Sequence, residues 1–98
     1  MTKASNPIGA AGRQVATNVA FVRKARGLSQ LDVSRLLGEY GRPTIVTVVS
    51  KTERCERRID VDDLVALAAV LGVEPAVLLV PLTVSTTFAV TAATEADL

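Results

Sequence analysis

Apolar residues recur at spacings of three and four in short runs broken by glycine and proline, a pattern that predicts small helices. Val15, Val19 and Val22, flanked by Ala16 and Ala20, form one stripe on a helix running from about Arg13 to Gly27. Its last turn holds Arg23, Lys24 and Arg26, where cations suit the carbonyl end of a helix. Ser29 precedes Asp32 by three residues, the spacing of a capping box. Val33, Leu36 and Leu37 then form the buried face of a second helix that stops at Gly38 or shortly after, ahead of Gly41 and Pro43. Asp60 and Asp63 repeat the cap before Val61, Leu64, Val65, Leu67, Ala68 and Leu71, and Gly72 closes that helix. Glu74 and Pro75 open a last short helix through Val77, Leu78 and Leu79, which Pro81 ends.

One stretch disagrees with this pattern. Thr44 to Ser50 is almost wholly β-branched, and local propensity favours a strand there. Its helical neighbours, and the resemblance given below, favour a helix. The ends are different in kind. Residues 1–12 mix Ser, Asn, Pro and Gly without periodicity and read as a flexible arm, 13–81 as the folded domain, and 82–98 as a tail. Within the tail, Thr83 to Thr91 has the composition of a strand, which needs a partner to be stable.

Composition narrows the function more than the fold. The chain has 98 residues, enough for one domain, and with 3% aromatics its core must be Leu, Val and Ala. It has no histidine, so the usual triad base and the commonest zinc ligand are missing, and no glycine-rich phosphate loop is present. An enzyme, a metal and a cofactor are therefore not expected. The lone Cys55 and the lack of a basic-then-apolar leader point to a cytoplasmic protein. Between Leu64 and Thr94 only Glu74 is charged, but Gly72, Glu74 and Pro75 interrupt the run, so no membrane span is expected. Net charge is +1 and hides an asymmetry: residues 1–58 hold all eleven Lys and Arg against four acids, whereas residues 59–98 hold six acids and no cation. A dipolar chain of this kind can offer its basic half to a polyanion, although a solvated surface gives the same count.

The order of these segments resembles the lambda-repressor-like, Cro/C1-type helix-turn-helix family over roughly Gln14 to Pro81. The residues that carry the resemblance are Gly27-Leu28-Ser29-Gln30, Val49-Ser50-Lys51-Thr52-Glu53-Arg54, and Arg57-Arg58-Ile59-Asp60-Val61-Asp62-Asp63-Leu64-Val65-Ala66-Leu67. The last piece, with Gly41-Arg42-Pro43 upstream, is similar to an actinobacterial and actinophage branch. The resemblance implies an all-α, five-helix domain that binds double-stranded DNA, with the helix after Ser29 positioning and the segment from Ile45 to Arg54 entering the major groove. It implies that Gln30 bonds a phosphate and braces the recognition helix, while Val46, Thr47, Ser50 and Lys51 face the bases and Val49 faces the core. Thr47 and Ser50 suit many base edges, Lys51 suits guanine acceptors, and Val46 suits a thymine methyl or a sugar. Arg42, Arg54 and Arg57 are assigned to phosphates, which fix register without reading sequence. Arg23 is either a further DNA contact or an ion-pair partner of Glu53. Arg26 is a weaker DNA candidate.

Three departures from the family pattern matter. Glu39-Tyr40-Gly41-Arg42-Pro43 lengthens the turn between the two helices. Cys55 stands where glycine usually ends the recognition helix, and Ile45 stands where a serine-like cap is common, leaving Thr44 as the expected cap. The expected function is a repressor or Cro-like phage or mobile-element regulator, acting as a homodimer on a palindromic operator. The rivals are an antitoxin with autoregulatory DNA binding, and a helix-turn-helix fold used for protein interaction through Val46 and Val48.

Overall fold

The computed structural model describes residues 6–82. Over these residues the chain forms five helices: α1 (Ala10–Ala25), α2 (Gln30–Glu39), α3 (Val46–Glu53), α4 (Val61–Leu71) and α5 (Pro75–Leu78). The expected strand at Thr83 to Thr91 lies outside the described residues. The β-branched segment is helical, and burial explains why propensity loses. Val49 and Thr52 are sealed against the core, and the Thr52 hydroxyl donates to the Val48 carbonyl at 2.8 Å, so its polar atom is satisfied within its own helix.

The core joins Val15, Val19 and Val22 of α1, Val33 and Leu37 of α2, Val49 of α3, Ala66, Leu67, Ala68 and Leu71 of α4, and Leu78 of α5. α1 packs on α3, α4 and α5, and α2 packs on α3 and α4. The predicted apolar face of α4 is corrected at two positions. Val61 is 75% exposed and Val65 also stands outside, because the inward row runs through Ala66, Leu67 and Leu71. The start of α1 is corrected as well. The helix begins at Ala10, with Gly9 as N-cap, and Ile8 folds over Gly12, where an added Cβ would lie 2.7 Å from Ile8 Cγ2. The Arg13 guanidinium donates to the Ile8 carbonyl at 2.7 Å and fixes this fold-back. The small residues Ala10, Ala11 and Gly12 carry no hydrophobic period, which is why the pattern alone starts the helix late.

Both expected capping boxes are present, Ser29 with Asp32 and Asp60 with Asp63. The helix ends are equally regular. Four of the described helices close with a paired turn in which a left-handed residue and the one after it donate backward, as Leu28 N does to Arg23 O and Arg42 N to Leu37 O. Three of these turns use glycine at positive φ, Gly27, Gly41 and Gly72; the fourth, ending α3, uses Cys55 at φ 59° with Glu56 N bonded to Lys51 O at 2.8 Å. The chain accepts left-handed backbone strain at Cys55 and makes the same turn. Cys55→Gly is therefore expected to stabilise the domain by about 1 kcal/mol, read as a higher urea midpoint at unchanged slope. A lower midpoint would show that the cysteine side chain contributes packing beyond the strain it costs.

Candidate nucleic-acid interface

The placement of α3 depends on one buried carboxylate. Glu53, at the end of α3, accepts from Arg23 Nε at 2.6 Å and Nη2 at 3.0 Å, and from Gln30 Nε2 at 2.9 Å. Arg23 also donates to the Leu28 carbonyl at 2.8 Å. Side-chain exposures of 11% for Arg23 and 7% for Glu53 mean that the pair is largely desolvated, and its two parallel bonds fix orientation as well as distance. The hydrogen bonds that it donates to the Glu53 carboxylate raise the already high pKa of the Arg23 guanidinium. Of the two readings for Arg23, the structure selects the ion pair. Gln30 takes the bracing part of its expected role, tying the start of α2 to the end of α3.

A second set of ties fixes the turn. Residues 40–45 connect α2 to α3, and Ser34 Oγ of α2 donates to the Thr44 carbonyl at 2.7 Å. Thr44 is thus held through its backbone, and it is not the cap. The helix starts one residue later than that role requires: Ile45 is the N-cap of α3, with no side-chain cap bond. Relative to the Ser and Asp caps of α2 and α4, this omission costs about 1 kcal/mol.

Arg42 and Arg57, assigned to phosphates in the sequence reading, converge on Asp63 of α4. Arg42 donates from Nε at 3.1 Å and from Nη2 at 3.0 Å to one oxygen, and Arg57 donates from Nη2 at 3.2 Å to the other. Arg42 also reaches Asp60 at 3.4 Å, and Arg57 donates to Thr52 Oγ1 at 3.1 Å. Burial tends to raise the Asp63 pKa, but the backbone N–H of Asp60 and the two guanidiniums outweigh it and hold the carboxyl below its ordinary value. The two arginines therefore link the turn and the segment after α3 to α4. Sequence order could not show this, because it depends on where a six-residue turn brings Arg42. Together they edge a cleft of about 470 Å3 walled by Leu37, Val48, Val49 and Leu67. Arg26 is likewise engaged, donating to the Leu71 and Gly72 carbonyls at 2.8 and 2.9 Å at the end of α4.

What remains outward is the face of α3. Thr47, Ser50, Lys51 and Arg54 point away from Val49 and Thr52, as helical spacing requires, and Val46, in the first turn and 39% exposed, borders this face. Thr47 and Lys51 are exposed and, among the described residues, their side chains have no hydrogen-bond or ion-pair partner. Ser50 Oγ accepts from Arg54 Nη1 at 2.6 Å, which leaves its own proton to donate outward. Arg54 also pairs with Glu56 at 2.9 and 3.1 Å, an exposed pair that phosphate oxygens can displace at little cost. Ile45, 66% exposed, adjoins this face without having been expected there; its apolar character beside a helix start is the signal in the sequence.

A positioning helix, a braced turn and a short helix with an outward polar and cationic face make this a helix-turn-helix domain of lambda-repressor-like fold. The profile of the helix-turn-helix family matches residues 19–78, from within α1 through α5, and the chain belongs to that family, whose Cro/C1-type members are DNA-binding regulators. Comparisons with curated proteins and with solved structures found no match. No helix of the described residues is long and apolar enough to cross a membrane.

Proposed function

We propose that the chain is a sequence-specific regulator of transcription of the repressor or Cro type, encoded by a phage or mobile element and acting in the cytoplasm without catalysis. The observation that carries this reading is the outward row Thr47, Ser50 and Lys51, on a helix whose far side is locked by the Arg23–Glu53–Gln30 tie. A major groove roughly 12 Å wide admits one helix, and these three side chains offer donors and acceptors to base edges. Arg54 exchanges Glu56 for a phosphate, and the exposed parts of Gln30, Thr44, Arg42 and Arg57 border the backbone. One such face makes few contacts, so two copies read half-sites about 34 Å apart. The exposed Leu79 and Val80 beside α5 supply an apolar surface for that pairing.

The test is a gel-shift titration against DNA from upstream of the chain's own gene. The parent should bind with an affinity that falls steeply with salt, as counterions are released from each neutralised phosphate. Lys51→Ala and Thr47→Ala should each lose about ten-fold or more of the discrimination between this duplex and random DNA. Both residues are exposed, so both variants should fold. Parent-like selectivity in both variants would show that another face reads the DNA.

A further inference from the structure

The outward face of α3 has two chemically distinct halves. Thr47, Ser50 and Lys51 form the polar half, and Ile45 with Val46 forms an apolar step continuous with it. Ile45 is the more telling of the two. It is 66% exposed, lacks the cap bond that Ser29 and Asp60 provide at the starts of α2 and α4, and does not belong to the core. A large aliphatic residue at that place works against both helix start and solubility, so folding does not account for it. On the edges of bases in the major groove, the apolar group is the C5 methyl of thymine.

We propose that Ile45, with Val46 beside it, is a specificity-determining contact that reads thymine through its C5 methyl, and that each half-site carries a thymine at the base pair facing this step. The inference rests on the DNA-reading role proposed above and adds to it a residue and a base. A methyl reader makes no hydrogen bond, so its selectivity comes from area removed from water and responds to the methyl alone. Replacing thymine by uracil deletes that group and leaves every hydrogen-bonding atom of the base pair in place. The Ser50 hydroxyl and the Lys51 ammonium, which read through hydrogen bonds, are blind to this change, and the Thr47 methyl is the rival reader that Thr47→Ala tests.

The experiment selects duplexes from a random library with the full chain, then substitutes deoxyuridine for thymidine one position at a time. For the parent, uracil at one or two positions per half-site is expected to weaken binding about four-fold, the ~0.8 kcal/mol of one buried methyl. For Ile45→Ala the sensitivity at those positions disappears, while Thr47→Ala retains it. Ile45→Ser separates reading from folding: the serine supplies the missing cap, so its urea midpoint rises, yet uracil and thymine bind alike. A flat uracil scan on a tightly and specifically bound duplex overturns this inference and leaves the proposed function standing. Sensitivity that persists in both Ile45 variants also overturns it, because the methyl then belongs to another residue. If selection recovers no preferred duplex, the function and the inference fall together.

Discussion

Glu53→Ala is expected to lower the unfolding free energy by about 3 to 5 kcal/mol, a large share of what a domain of this size has. The carboxylate accepts two bonds from Arg23 and one from Gln30, and it joins the ends of α1 and α3 to the start of α2. Its removal leaves the guanidinium buried with the Leu28 carbonyl as its one remaining acceptor among the described residues. Arginine cannot escape by losing its proton, since its ordinary pKa lies far above neutrality. Glu53→Gln keeps the shape but removes the charge, and an intermediate loss follows. The double change Arg23→Met with Glu53→Leu should restore most of the stability, because replacing a whole buried pair by apolar groups removes the desolvation cost on both sides. Urea denaturation of the four proteins tests this. A single-variant loss under about 1 kcal/mol would mean that the pair behaves as a surface ion pair. The double variant should still bind DNA more weakly than the parent, since Gln30 loses its acceptor and α3 its anchor.

That pair also shows where sequence reasoning reaches its limit. Ser29 with Asp32, Asp60 with Asp63, and the stopping glycines lie within one turn of what they act on, so the extents of α2 and α4 were legible from local chemistry. The helical state of Val46 to Glu53 was not legible locally, because its β-branched residues favour a strand and only the burial of Val49 and Thr52 reverses the balance. The nine residues assigned to DNA divide along the same line. Val46, Thr47, Ser50, Lys51 and Arg54 were implied by the resemblance, and once the segment is helical its short-range spacing suffices to bring them to the exposed side. Gln30, Thr44, Arg42 and Arg57 depend on the path of the turn. Three of them engage Glu53 or Asp63 through their side chains, and Thr44 is fixed through its carbonyl. The exposed Val61 and Val65 show the same limit in a helix, since a run apolar on nearly every side does not reveal which side faces in.

Asn18→Leu is expected to cost about 2 to 4 kcal/mol, although leucine has the same branched outline and the site lies within an apolar row. Asn18 falls inside the apolar stripe of α1, between Val15 and Val22, and is 2% exposed. A polar residue in such a row must have partners. Its amide nitrogen donates to the carbonyls of Leu78 at 2.9 Å and Val80 at 2.7 Å, and its oxygen accepts from Gln14 Nε2 at 3.0 Å. These are the carbonyls at the end of α5, a helix of four residues that has few bonds of its own. Leucine leaves both carbonyls without that donor. Asn18→Asp should be at least as damaging, because a carboxylate faces the same two carbonyls with no proton to give. The effect extends to assembly, since the bonds to Leu78 and Val80 hold the exposed Leu79 and Val80 in place just after α5. If that surface pairs two copies, sedimentation should show weaker self-association for Asn18→Leu under conditions where circular dichroism still reports native helix. Loss of stability with self-association unchanged would separate the two roles and move the pairing surface away from α5.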